Sequence, residues 1–190
     1  MKVETSIATT QMSEASLRLT GLAPIVSPQT VVLILGSFPG VKSLALGQYY
    51  AHPQNHFWKI LQAIWPSSPL PPATEPFAAR ADWLLHRGLG VWDVYAACER
   101  EGSLDSAIRD ASVNDFAGLD LPRLGAVAHN GAESFRHSKR VVDAFAAARP
   151  EPSLPIPVYK LPSTSPANAS WSFDRKLQAW REVFVRHGIA

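Results

Sequence analysis

VVLILGSFPGVKSLALGQYYAHPQNHFWKI, residues 31–60, decides how this chain is read. Five apolar residues, Val31 to Leu35, open the stretch. A short apolar run with β-branched residues at its start suits a strand buried on both faces. Gly36-Ser37-Phe38-Pro39-Gly40 then ends the strand. Two glycines and a proline let the backbone turn sharply and bring main-chain N–H groups close to a ligand. A polar, aromatic-rich segment follows, with Gln48, Tyr49, Tyr50, His52, Asn55 and His56. Phe57, Ile60, Leu61 and Ile64 recur at helical spacing and predict a helix over 55–64, closed by Pro66. In an open α/β sheet, ligands sit beyond the carboxyl ends of the strands, where this loop falls.

The rest of the chain repeats strand, loop and helix. Residues Met1 to Thr20 are polar and weakly patterned and predict a loose N-terminal arm before a single domain over 21–190. SSPLPPATEP, with four prolines in ten residues, predicts a stiff surface loop. An amphipathic helix is expected over 77–87, with Gly88 as its stop. Leu89 to Tyr95 reads as a second strand carrying Asp93, a turn residue or a cap. Ser103 fits an N-cap to a short helix through Arg109, and Asn114 to Phe116 fit another helical piece. Leu124 to His129 predicts a third strand, ending on His129-Asn130-Gly131, before a helix over 132–148. Proline-rich EPSLPIP leads to a fourth strand, Ile156 to Leu161, which ends on PSTSPANAS. The last helix, 173–187, should bury Leu177, Trp180, Phe184 and Val185. Four such repeats argue a parallel sheet covered on both faces, a three-layer α/β/α sandwich. Three of its loops, after the first, third and fourth strands, should gather on one rim.

Composition narrows the class. Hydrophobic content of 46% and charged content of 18% mark a globular protein with a sizeable core. The formal net charge of +2 permits a phosphate-binding face without requiring one. A single cysteine, Cys98, excludes an intrachain disulfide, and no Cys/His spacing suits zinc, so no metal or other cofactor is expected. No apolar run reaches the ~20 residues needed to span a bilayer, and MKVETSIATT lacks a signal-peptide core. A cytoplasmic monomer without a membrane partner is the expectation.

Each candidate residue has two readings. The Gly36–Gly40 loop is either an ordinary strand-to-helix turn or a pocket wall. It lacks the lysine and hydroxyl of a P-loop and the spacing of a dinucleotide fingerprint, which disfavours nucleotide hydrolysis. Adjacent Tyr49 and Tyr50 must point different ways, so one can stack on a planar ligand. Asn55 either caps the helix or presents its amide to a base edge or a water. His52 and His56 fit loop hydrogen bonds better than catalysis. Ser163, Thr164, Ser165 and Asn168 either cap the last helix or cradle a phosphate at its N-terminus. Lys139, Arg140, Arg175, Lys176 and Arg181 read as solvated helix charges, with Arg175 and Lys176 near enough to the last loop to reach DNA.

GSFPG, SLALGQYYAHPQNHFWKIL, HNG and LPSTSPANAS, taken together, resemble the uracil-DNA glycosylase superfamily. The likeness is greatest to its hypoxanthine-DNA (deoxyinosine) glycosylase branch, related to the mismatch-specific uracil/thymine enzymes. It covers nearly the whole chain from Val31 to His187. The resemblance implies DNA crossing the carboxyl edge of a four-stranded parallel sheet, with one nucleotide flipped into a pocket. Gly36, Phe38, Pro39 and Gly40 would shape that pocket. Most branches carry Asn or Asp after the first glycine to position water. Ser37 stands there instead, which fits the hypoxanthine branch and makes Asn55 the catalytic candidate beside Ser37. Tyr50 falls where relatives place an aromatic on the flipped base, and His129 or Asn130 would meet the base edge. Ser163, Thr164, Ser165, Ala167 and Asn168 would grip phosphates and offer a wedge, though Ala167 is small. The implied activity is monofunctional hydrolysis of the N-glycosidic bond of a deaminated base in DNA. A mismatch uracil/thymine glycosylase and a non-catalytic nucleic-acid or nucleotide binder are the alternatives.

Overall fold

The computed structural model describes residues 18–148 and 155–190. Its elements begin β1 (Arg18–Thr20), β2 (Val32–Gly36), α1 (Val41–Leu46), α2 (Phe57–Ile64) and α3 (Phe77–Leu85). β3 (Leu89–Asp93), β4 (Tyr95–Glu99) and β5 (Arg109–Val113) follow. The chain continues through β6 (Ala126–Asn130), α4 (Ala132–Phe135), α5 (Ser138–Ala147), β7 (Val158–Leu161) and α6 (Phe173–Arg186).

The main sheet is parallel throughout, in the order β3-β2-β6-β7. Val32, Leu33, Ile34 and Leu35 alternate between its faces, yet all are fully buried, so both faces are covered. Each such side chain contributes about 1.5–3 kcal/mol of transfer free energy. An aromatic cluster ties α2, α3 and α6 together: Phe57 meets Trp180 edge-on at 5.8 Å, and Trp65 stacks on Phe184 at 5.6 Å. A second cluster joins Trp92 of β3, Phe116 and Phe145 of α5. The chain leaves β2 toward β3 and leaves β6 toward β7, on opposite sides. Loops diverging in this way open a crevice between the carboxyl ends of β2 and β6.

A second sheet departs from the sequence reading. β1, β4 and β5 form a three-stranded antiparallel sheet in the order β1-β4-β5. Leu89–Tyr95 is therefore not one strand. β3 ends at Asp93, and after Val94 the chain enters the other sheet as β4. Val94 and Tyr95 donate their N–H groups to the Gly36 and Ser37 carbonyls, which holds this crossing against the first loop. β5 is exposed along most of its length, so no apolar alternation marks it. The expected helix over 103–109 is reduced to a 3₁₀ turn at Asp105–Ala107, and β5 begins where that helix was to end. Asn114 to Phe116 form no helix; the Asn114 amide instead donates to the Asp93 carbonyl at 2.8 Å.

Smaller corrections have clear causes. The helix expected over 132–148 is split into α4 and α5, because Ser134 Oγ anchors α4 by donating to the Leu35 carbonyl, and the His137 ring turns to the Tyr95 hydroxyl at 2.9 Å. α1 was not expected; it ends on Gly47 at φ 62, a left-handed stop that glycine adopts without strain. Val185 is 55% exposed rather than buried. Lys176 is not a solvated charge: it is 1% exposed and its Nζ donates to the Asn168 carbonyl at 2.9 Å. Arg18 to Thr20 of the expected arm form β1; residues 1–17, and most of the proline-rich EPSLPIP segment, lie outside the described residues. Among the described residues no helix is long and apolar enough to cross a membrane, and no group of three or more His, Cys, Asp or Glu side chains could hold a metal ion.

Candidate active site

A cavity of about 950 Å³ occupies the crevice at the carboxyl rim of the main sheet. Four stretches distant in sequence wall it. Gly36 to Gly40 form one side, Tyr49, Tyr50, His52 and Asn55 the second, Asn130 to Ala132 the third, and Leu161 to Asn168 the fourth. The rim adds Lys42, Lys160, Trp171 and the turn Ser103–Ser106.

The first loop is held from beneath by a buried arginine. Arg100, just after β4, donates to the Pro39 carbonyl and lies 5.0 Å over the Phe38 ring. Ser37 donates its hydroxyl to Asp105 Oδ1 at 2.6 Å. Ser103 Oγ accepts the Val41 N–H at 3.0 Å, so the residue expected to cap its own helix serves the start of α1. Asp105 is open to solvent, so the upward push on its pKa from the surrounding protein is heavily screened.

Asn55 shows the capping reading of its two. Its Oδ1 accepts the Phe57 N–H at 2.9 Å and orders the start of α2. Its Nδ2 has no partner among the described residues, and the residue lines the cavity. Tyr49 and Tyr50 diverge as adjacent residues must. Tyr49 Oη donates to the Ala23 carbonyl at 3.0 Å, away from the solvent. Tyr50 stacks one ring face on Phe57, with centroids 3.9 Å apart, and lines the cavity. Its backbone sits at φ 54, a rare conformation for a bulky residue and one that clusters at functional sites. Burial, and then the Asp93 carboxylate, hold its phenol far above the ordinary range, against a smaller opposing effect of the Asn130 amide.

Asn130 clamps the third and fourth walls. Its Oδ1 accepts the Thr164 N–H at 2.9 Å and its Nδ2 donates to Thr164 Oγ1 at 2.9 Å. His129 is corrected: the residue is fully buried, its Nδ1 meets Ser134 Oγ at 2.7 Å, and it does not line the cavity. Burial lowers its pKa to about 4. The ring points into the core because alternate residues of a strand face opposite sides.

The fourth wall is built largely from its own hydrogen bonds. Ser163 Oγ accepts the Ser165 N–H, Ser165 Oγ accepts the Ala167 N–H, and Asn168 Nδ2 donates to the Ser163 carbonyl at 3.0 Å. Capping of α6 falls to Ser172, whose side chain accepts the Arg175 N–H. Ala167 is exposed at the lip. Two large apolar side chains share that lip, Leu104 at 57% exposed and Trp171 at 37%.

Sequence reasoning passed over the cavity floor. Asp93, opposite Gly36 in the β2–β3 register, is 4% exposed. Its Oδ1 occupies the place a Cβ on Gly36 would need, so only glycine permits this carboxyl position. Burial first, and then Asp105, raise its pKa to about 7, while Arg100 pulls the other way. The available signal was a carboxylate set directly after the apolar LGVW at the carboxyl end of a strand.

Fold and cavity together define a nucleotide-sized pocket at the switch point of a small α/β sheet, and comparison with known proteins supplies the family. The sequence model of the Uracil DNA glycosylase superfamily matches residues 23–184, and the chain belongs to that superfamily. A protein of Methanosarcina acetivorans named hypoxanthine DNA glycosylase is 35% identical over 173 residues, which cover 88% of this chain and 98% of that one. Its namesake from Methanosarcina barkeri is 34% identical over 171 residues, covering 87% and 98%. A solution NMR structure from Methanosarcina acetivorans, provisionally described as a uracil DNA glycosylase, superposes with a TM-score of 0.71 at 29% identity. It covers 90% of this chain and 99% of its own.

Proposed function

We propose that this chain is a monofunctional DNA glycosylase that hydrolyses the N-glycosidic bond of a flipped, deaminated base, hypoxanthine first and uracil second. The observation that carries this is the meeting of Asn55, Ser37, Asn130 and the Ser163–Asn168 loop around one cavity at the sheet's switch point. The names of the two Methanosarcina relatives favour hypoxanthine as the leading substrate.

The bond breaks through a sugar of oxocarbenium character, with negative charge passing to the base. Catalysis therefore needs a held water near the sugar and donors where charge grows on the base. Asn55 offers its Nδ2 for water or base, with Oδ1 held by the Phe57 N–H. Ser37, with its proton committed to Asp105, presents lone pairs that can accept from a water. Tyr50 lines the slot that takes the base, and Gly36, Phe38, Pro39 and Gly40 bound it. Asn130 acts by fixing the fourth wall through Thr164. Ser163, Thr164, Ser165 and Asn168 order backbone that meets phosphates, with Lys42 and Lys160 on the rim to neutralise them. Leu104 and Trp171 supply the apolar bulk at the lip that Ala167 lacks, to occupy the stack a flipped nucleotide vacates. The whole domain, 21–190, acts as one unit on DNA and as a monomer.

Oligonucleotides carrying inosine or uracil, incubated with the protein and then treated with alkali, test the reading. Cutting at inosine supports it. Cutting at uracil alone favours a mismatch uracil/thymine enzyme, and binding without cutting marks a nucleic-acid binder.

A further inference from the structure

Asp93 and Tyr50 line the cavity, and each carries a buried polar atom, Asp93 Oδ2 and Tyr50 Oη, with no hydrogen-bond partner among the described residues. The Asp93 carboxyl rests over Gly36, and Tyr50 Oη comes within 3.4 Å of that same spot, where a Gly36 Cβ would be. Leaving a buried polar group unsatisfied is destabilising. The left-handed backbone of Tyr50 adds strain at the same place. Unsatisfied groups concentrated at one point of a cavity mark a place reserved for a ligand atom.

Their chemistry says what that atom must be. Burial and the adjacent carboxyl hold the Tyr50 phenol protonated, so Oη–H is a donor. Asp93 is largely desolvated, and its neutral acid is the form that burial favours, which makes Oδ2–H a second donor. A phenol and a neutral carboxylic acid side by side are suited to receive growing negative charge in a site without bulk water. The Asn130 amide lies beside Tyr50 and spends its oxygen and one N–H on Thr164.

We propose that Tyr50 Oη–H and Asp93 Oδ2–H form a donor pair that takes up the negative charge developing on the departing base. The inference rests on the glycosylase reading and adds to it the leaving-group half of the reaction. The bond from C1′ to the base nitrogen breaks, and both electrons go to the base. Water gives hydroxyl to C1′, and its remaining proton neutralises the released base. The pair carries charge in transit and ends the cycle with both of its protons. Asp105 of the 3₁₀ turn and Arg100 just after β4 bias Asp93, which in turn raises the phenols of Tyr49 and Tyr50 from the segment before α2.

The test is single-turnover release of hypoxanthine from an inosine oligonucleotide by the full chain, between about pH 5.5 and 9. The wild-type rate should hold steady at low pH and fall about tenfold per unit above about pH 7, where Asp93 ionises. Asp93→Asn, which keeps a donor but cannot ionise, should lose that falling limb. Tyr50→Phe, which removes one oxygen, should slow release about 10²-fold at every pH with the KM for oligonucleotide unchanged. If Asp93→Asn fails to fold, Tyr50→Phe decides alone. An Asp93→Asn profile that copies wild type, or a Tyr50→Phe rate within about twofold of it, overturns the pair. A wild-type protein that releases no base at any pH removes the glycosylase reading itself, and the pair with it.

Discussion

Replacing Asp93 by Asn should change how stability depends on pH, and the size of the change follows from where the carboxyl sits. Asp93 is 4% exposed and has no salt-bridge partner among the described residues. Its pKa rises from 3.8 to about 7, through burial first and Asp105 second. Between those values the folded protein holds a proton that the unfolded chain has released. Stability contributed by this group is therefore complete below about pH 4, is lost as pH climbs to about 7, and is level above that. At about 1.36 kcal/mol per pKa unit, the loss approaches an upper bound of ~4 kcal/mol. His129 works in the opposite sense. Its pKa is lowered from 6.5 to about 4, so the unfolded chain takes up the extra proton, and stability from this group grows between about pH 4 and 6.5. Wild type alone would show the two effects mixed. The difference between wild type and Asp93→Asn cancels His129 and isolates the carboxyl. Urea denaturation of both proteins at half-unit steps from pH 4.5 to 8 supplies that difference. Asn should gain on Asp steadily toward pH 7 and then hold its lead. Parallel curves across the range would refute the buried, unpaired carboxyl on which the account of the cavity floor depends.

Other perturbations address the remaining walls. Asn55→Ala should slow base release about 10²-fold through the lost amide and cost about 1 kcal/mol through the lost Phe57 N–H acceptor; single-turnover rates and thermal unfolding separate the two losses. Gly36→Ala places a methyl where Asp93 Oδ1 lies, so it should lower stability by about 1–3 kcal/mol and shift the pH profile of release. Leu104→Ala should weaken release from paired duplex more than from single strands, since only the duplex needs its stack filled; a gel assay of both substrates checks this. Lys42→Ala and Lys160→Ala should each flatten the dependence of log affinity on log salt by about one unit, measured by fluorescence anisotropy.

The parts of the fold that the sequence disclosed are those carried by continuous burial. VLILG and LGVW are apolar at every position because both sheet faces are covered, and the strand ending on His129 and Asn130 reads almost as clearly. The second sheet left no comparable trace. Its strand Arg109–Val113 is exposed along most of its length, and its partner Tyr95–Glu99 begins one residue after the main sheet releases the chain. Walls of the cavity were legible because glycine, proline, hydroxyl and amide residues follow buried strands directly. The direction of single side chains was harder to read. His129 turns inward and Asn130 outward by strand alternation, which two adjacent polar letters do not disclose. Asp93 was hidden for another reason. Its significance comes from Gly36 across the register, and pairing between strands far apart in sequence is a property of the folded sheet.

The central claim is that these walls hold an everted deaminated nucleoside while water cleaves it from its sugar, with Asn55 in the working position. Free hypoxanthine, quantified by chromatography after mixing stoichiometric protein with an inosine oligonucleotide, tests that claim most directly. The account predicts about one equivalent of free base from wild type and release about 10²-fold slower from Asn55→Ala. No free base from wild type, or release by Asn55→Ala as fast as by wild type, would contradict it.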